Sequence, residues 1–228
     1  MVALADTFTH LTGSLPDGTW FAPGRVNLIG EHTDYNDGFC MPFALHQRAT
    51  IAAGTRADGR WRVHSTNLDQ THEFGSDDLR PGEDPGWHGY VAGVVWALRE
   101  AGHDVGGADL VLNSDVPVGS GLSSSAALEC ATITALCDLY GLEIAPMDRA
   151  VLARRAENAY VGAPTGLLDQ AASTLCTAGH ALFFDCRDLS TEQVPFAAAD
   201  EGLAVLVLDT NTPHSHLDGE YAERRASC

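Results

Sequence analysis

A chain of 228 residues, 45% hydrophobic and 19% charged, is long enough to bury a sizeable core and is expected to fold as one or two domains. Thirteen basic against 31 acidic residues give a formal charge of −18, which argues against nucleic acid and anionic membranes as main partners. The six cysteines contain no C-x-x-C pair, so zinc is not expected, and several lie in apolar runs as buried thiols do. With no signal-peptide pattern and no membrane-length apolar stretch, a reduced cytoplasm is the expected setting.

The first residues carry little pattern. Trp20 to Arg25 breaks a short apolar run with Pro23 and Gly24, and Val26 to Ile29 resumes it. Gly30 to Gly38 is a dense polar loop bounded by glycines. Phe39 to Leu45, Ala49 to Thr55 and Trp61 to Ser65 read as strands. Leu68 to Pro85 is acidic and turn-rich and reads as surface. Trp87 to Glu100 puts Trp87, Tyr90, Val91, Val94, Val95 and Leu98 on one helical face, a core-facing stripe.

Ala108 to Asn113 reads as a strand, followed by the stretch that organises the chain, Pro117 to Glu129. Gly119 and Gly121 let the backbone turn tightly and approach a ligand. Ser120, Ser123, Ser124 and Ser125 bring hydroxyls to the start of a helix expected over Ala126 to Tyr140, where unpaired N–H groups and the helix dipole favour an anion. Simple serine capping would need only one of these hydroxyls. A Walker loop would need a Lys, which the chain lacks, and the dinucleotide fingerprint has Ser124 where its third glycine belongs. Phosphate is therefore expected to be held by backbone amides and hydroxyls, helped by a metal ion.

Pro146 to Tyr160 reads as a second helix, Gly162 to Gly166 as a break, and Leu167 to Leu175 as a third helix with Asp169 and Gln170 in its first turn. Ala181 to Phe184 and Leu203 to Leu208 are strand-like. Pro195 to Gly202 reads as a domain junction, dividing the chain into 1–194 and 195–228, and Asp218 begins another helix.

Glu31, His32 and Asp34 crowd into four positions, an arrangement suited to hydrogen-bonding several hydroxyls of a sugar; a solvated acidic loop or a metal site fits the same residues. Asp169 could accept a proton from a substrate hydroxyl or serve as an N-terminal helix acid. Arg25 lies in a Pro-Gly-Arg turn.

Together these segments resemble a known family. Pro23 to Asn36 resembles the galactokinase signature, and Pro117 to Ala127 resembles the phosphate-binding motif of the GHMP kinase superfamily. Trp87 to Val94, Gly162 to Ala172 and His214 to Arg225 are also similar to galactokinase segments. The resemblance implies an α+β, GHMP-kinase-type two-domain fold, with a ribosomal protein S5 domain 2-like N-terminal domain and an incomplete C-terminal domain. It implies transfer of the γ-phosphate of ATP to the C1 hydroxyl of galactose, with Mg2+ as cofactor, in a cytoplasmic monomer. Glu31, His32 and Asp34 would bind sugar hydroxyls, with Gly166 contributing backbone and Tyr221 a ring or hydroxyl. Asp169 would be the base, and Arg25 would sit beside it and stabilise negative charge. Gly119, Ser120, Gly121, Leu122, Ser123, Ser124 and Ser125 would wrap the ATP phosphates, and Ser125 and Glu157 would match the family's magnesium ligands. The family's third glycine-rich motif is absent, so the chain reads as the N-terminal part of a galactokinase. A kinase for a related sugar such as N-acetylgalactosamine, or a non-catalytic galactose- and ATP-binding sensor, shares these motifs; the intact Ser123 to Ala127 favours an enzyme.

Overall fold

The computed structural model describes residues 4–83, 86–209 and 227. In chain order its helices are α1 (Leu4–Thr12), α2 (Gly89–Glu100), α3 (Ser124–Tyr140), α4 (Pro146–Arg155) and α5 (Leu168–Leu175). Its strands are β1 (Gly18–Asn27), β2 (Phe39–Cys40), β3 (Pro42–Arg56), β4 (Trp61–Ser65), β5 (Gln70–Phe74), β6 (Gly107–Ser114), β7 (His180–Asp185) and β8 (Thr191–Pro195).

A run of β-branched and small residues, Thr50 to Ala53, makes the middle of β3 a buried strand, with Ile51, Ala52 and Ala53 at 0% exposure. It stands between β1 and β6 in a sheet ordered β1-β3-β6-β4-β5, antiparallel throughout except for the parallel β4–β6 pair. The crossover between those parallel strands carries α2, which is buried on nearly every side through Val91, Ala92, Val94, Val95, Ala97 and Leu98, not along one stripe. On α3 the alanines at 126, 127, 131 and 135 are fully buried, which lets the helix lie close to α2 and the sheet in one core. On the other face of the sheet, α1 places Phe8 against Ala52 and Val111.

A second sheet, ordered β2-β7-β8, closes over Leu167, Leu168, Ala171, Leu182 and Phe184. α4 opens with Pro146 at its first turn and widens at its end into a π-helical turn, Ala156–Val161, so the expected helix to Tyr160 is not α-helical throughout.

The two strands expected over 39–45 and 49–55 are one long strand, β3, preceded by the short β2. His46, Gln47 and Arg48 interrupt the apolar run because they face solvent; the ladder to β1 shifts register here, passing from Pro23↔Arg48 to Arg25↔Ala44 across a bulge that leaves His46 and Gln47 unpaired with β1. β5 lies inside the acidic stretch read as surface turns; it is an edge strand with only Phe74 buried, stacked on Trp61. α1, β1 and β8 fall where the pattern pointed to no element. Leu203 to Leu208, expected as a strand, has no regular structure: no described strand pairs with it, and Leu206 and Leu208 are 78% and 79% exposed. The helix expected from Asp218 lies outside the described residues.

Candidate active site

Three left-handed residues shape the loop before α3: Gly119 (φ 76°), Gly121 (φ 74°) and Ser123 (φ 60°). An added Cβ at either glycine would meet nothing, so it is the backbone conformation, not space, that calls for glycine there. Ser123 occupies the N-cap position of α3 but makes no side-chain cap, and its hydroxyl donates instead to Asp169 Oδ2 at 2.5 Å. The capping reading of the serine run therefore fails at this residue. Ser120 Oγ is turned back to Pro117 O at 2.8 Å.

Asp169 stands in the first turn of α5, where Arg25 reaches it from β1: Nε donates to Oδ1 at 2.7 Å and Nη2 lies 2.6 Å from the same oxygen. The third arm of Arg25, Nη1, donates to Gly121 O at 2.6 Å, and its backbone N donates to Leu122 O at 3.1 Å. One arginine thus fixes both the carboxylate and the phosphate-loop candidate.

Ser125, on the first turn of α3, donates to Glu157 Oε1 at 2.8 Å. Glu157 lies in the π-helical turn and is 1% exposed; its Oε2 accepts from Thr165 Oγ1 at 2.7 Å and from Gln170 Nε2 at 2.8 Å. The same Gln170 nitrogen lies 3.0 Å from Glu129 Oε2, so one amide joins two buried carboxyl groups. Burial pushes the Glu157 carboxyl up against three opposing hydrogen bonds, and burial together with the neighbouring Glu157 pushes Glu129 well above the carboxylate range.

In the Gly30–Gly38 loop, Asp34 Oδ2 accepts from Leu168 N at 3.2 Å. A Cβ at Gly166 would lie 1.8 Å from that same oxygen, so Asp34 occupies the space any side chain at 166 would need. Burial raises the Asp34 pKa, with the nearby Asp169 charge adding to the effect. Thr33 Oγ1 donates to Phe39 O at 2.8 Å and holds the loop shut. His32 is exposed in a left-handed conformation (φ 61°) and hydrogen-bonded to Tyr35. Glu31 is exposed and borders a cavity of about 410 Å³ lined also by Arg25, Asn27, Ser120, Gly121 and Leu122, with Val205 to Leu208 along one side. Cavities of ~300–1,000 Å³ are the usual size for small-molecule sites.

The GHMP kinases N terminal domain model matches residues 89–177, and the galactokinase galactose-binding signature matches residues 6–55. The galactokinase of Streptomyces coelicolor is 56% identical over 226 residues, covering 99% of this chain and 58% of that protein. That of Mycobacterium tuberculosis is 47% identical over 207 residues, 91% of this chain and 57% of that protein. The solved Lactococcus lactis galactokinase complexed with galactose superposes with a TM-score of 0.85 at 33% identity, over 98% of this chain and 58% of that one.

The chain belongs to the galactokinase family of GHMP kinases. It spans somewhat over half the length of these galactokinase relatives, 58% of the Streptomyces coelicolor protein. The Methanococcus jannaschii mevalonate kinase, with a TM-score of 0.66 at 18% identity, shares the fold.

Of the residues singled out in the sequence of this galactokinase-family chain, the structure brings together Arg25, Asp169, Gly121 and Ser123, joins Ser125 to Glu157, and seats Asp34 on Gly166. His32 lies on the exposed side of its loop, and Tyr221 lies outside the described residues. Sequence reasoning assigned no role to Thr165, Gln170, Glu129 or Asn27. Glu129 stands between Leu128 and Cys130 with alanines on either side, a local cue that helical periodicity alone does not use, and Gln170, next to Asp169 in a first turn, gave none. Asn27 borders the cavity, and neither side-chain atom of its amide has a hydrogen-bond partner among the described residues.

Proposed function

We propose that the chain carries the sugar- and nucleotide-binding parts of a galactokinase, which transfers the γ-phosphate of MgATP to the C1 hydroxyl of galactose. The observation that carries this reading is Asp169, held by Arg25 on one oxygen and by Ser123 on the other, directly beside the glycine-serine loop. Phosphoryl transfer requires positioning and charge neutralisation above all. Asp169 accepts the proton of the C1 hydroxyl, the freed oxygen attacks the γ-phosphorus, and ADP leaves. Arg25 orients Asp169 and, with the N-terminus of α3, stabilises the charge that builds on the phosphoryl oxygens. Asp34 and Glu31 bind sugar hydroxyls, with Tyr221 and His32 completing the contact, and the absence of a side chain at Gly166 lets Asp34 approach the α5 backbone.

Ser125 Oγ and Glu157 Oε1, 2.8 Å apart at the start of α3, are hard oxygen donors of the kind magnesium takes. The buried Glu157 has only neutral donors around it, so a cation is the partner its ionised form lacks. Those two residues would hold Mg2+, which supplies charge neutralisation at the ATP phosphates. In this reading the boundary to a second domain falls at residue 195. The enzyme is a cytoplasmic monomer in this reading; no described helix is long and apolar enough to cross a membrane.

Two measurements test the proposal. Isothermal titration should show galactose bound by the 228-residue chain. A chimera completed with the C-terminal segment of the Streptomyces coelicolor relative should release ADP from ATP when given galactose and magnesium. A chimera that folds and binds ATP but releases no ADP with galactose would overturn it.

A further inference from the structure

Just after the sugar loop, two cysteines far apart in sequence face each other. Cys40 Sγ lies 3.8 Å from Cys186 Sγ. Their strands are already joined: Cys40 stands opposite Phe184 on the β2–β7 ladder, and Cys186 N donates to Gly38 O at 2.9 Å. Cys186 therefore sits two positions along from Cys40's cross-strand partner, on the same face, and Gly38 ends the sugar loop. A disulfide requires the sulfurs to close to ~2.05 Å. The two side chains must rotate toward each other to close that gap. The other described cysteines have different surroundings: Cys130 Sγ is near Gln170 O, Cys176 Sγ is near Pro42 O, and Cys137 is buried in the main core.

We propose that Cys40 and Cys186 form a reversible disulfide, with a peroxide as oxidant, that fastens the end of the Gly30–Gly38 loop to the second sheet. The order of events follows from exposure. Cys186 is half-buried and open to small oxidants, whereas Cys40 is 2% exposed. The neighbouring Cys186 sulfur and burial hold the Cys40 thiol high, so it waits as the protonated partner. Cys186 sulfur attacks one peroxide oxygen, breaking the O–O bond; the sulfur is oxidised to sulfenic acid and the other oxygen leaves as hydroxide, which takes up the proton given up by the Cys186 thiol and becomes water. Cys40 sulfur then attacks the Cys186 sulfur, the S–S bond forms, and the sulfenic oxygen departs as a second water carrying the Cys40 proton. A dithiol reductant returns both thiols by exchange. The closed bond would tie together residues separated by 146 positions and fix the exit of the loop that carries Asp34.

Peptide mapping of the 228-residue chain tests this directly, because the chain contains no Lys and trypsin cuts only at arginine. Folded protein is treated with hydrogen peroxide, blocked with a thiol reagent, and digested without reductant. The expected product is the Val26–Arg48 peptide linked to Ala156–Arg187, lost on dithiothreitol treatment and missing from C40S and C186S. Because the second peptide also holds Cys176, C176S should retain the link. No linked peptide in the wild-type chain, with Cys186 instead accumulating as sulfinic acid or remaining reduced, would overturn the proposal. So would a linked peptide that persists in C186S.

Discussion

Replacing Gly166 by alanine puts the Asp34 contact to a quantitative test. The added Cβ would stand 1.8 Å from Asp34 Oδ2, 2.2 Å from Cγ and 2.7 Å from Oδ1, about 1.7 Å inside the ~3.5 Å that nonbonded atoms prefer. No rotation of the methyl group relieves that overlap, so Asp34 must swing away and give up its bond from Leu168 N. Overpacking typically costs ~1–3 kcal/mol, and a lost hydrogen bond to a carboxylate ~1.5–3 kcal/mol. With partial relaxation the sum is about 2–4 kcal/mol, or roughly 5–12 °C in Tm for a chain of this size. Differential scanning calorimetry of the wild type, G166A, D34A and the double variant measures it. In the D34A background the space is empty, so G166A should cost under ~1 kcal/mol there, and the difference is the coupling energy of the pair. Equal cost of G166A in both backgrounds would refute the contact. In the same set, G166A should also weaken galactose binding, since the displaced Asp34 is a proposed sugar ligand.

In the completed chimera, D169N should lower kcat by ~10²–10⁴ while sugar and ATP binding survive, and near-normal turnover would remove Asp169 from the role of base. D34A should erode the preference for galactose over glucose, read as a ratio of kcat/KM; a site that hydrogen-bonds a hydroxyl can discriminate by ~10⁴–10⁵, so an unchanged ratio would place the selection elsewhere. Glu129 has its pKa raised on folding, so the stability linked to its neutral form is complete below 4.5 and is lost as pH rises toward the higher folded value. Tm of the wild type should therefore fall more steeply than that of E129Q as pH is raised from 4.5 to 8; parallel curves would show that Glu129 is not the titrating group.

Elements with a strong period were legible in the sequence. β4, β6, α3 and α5 were read to within a residue or two, because apolar spacing and glycine boundaries coincide there. β1 was hidden by Pro23 and Gly24, which read as a break. β1 is an edge strand bulged between Pro23 and Arg25, so the proline's missing N–H disrupts little of the ladder. β5 was hidden by its polarity, again the property of an edge. The Arg25–Asp169 pairing came from a family resemblance, since neither residue alone marks a site. The Glu129–Gln170–Glu157 group was invisible to periodicity, which assigns polar residues to the surface. So was the π-helical widening after Arg155, in which Glu157 lies.

The bonds that assemble this site join distant parts of the chain: Arg25 to Asp169 across 144 positions, Ser173 to Pro23 across 150, and Leu168 to Asp34 across 134. During synthesis at ~5–20 residues per second, the Gly30–Gly38 loop waits roughly 7–27 s before Leu168 is made. Through that interval Asp34 lacks its Leu168 partner and Arg25 lacks Asp169. The site therefore completes only after α5 has been made, and closing loops of that length carries an entropy cost that the docking of α5 must offset. On the proposed function, a sugar that binds the finished geometry stabilises only chains that have reached it, so galactose should raise the folded fraction among chains that already contain α5.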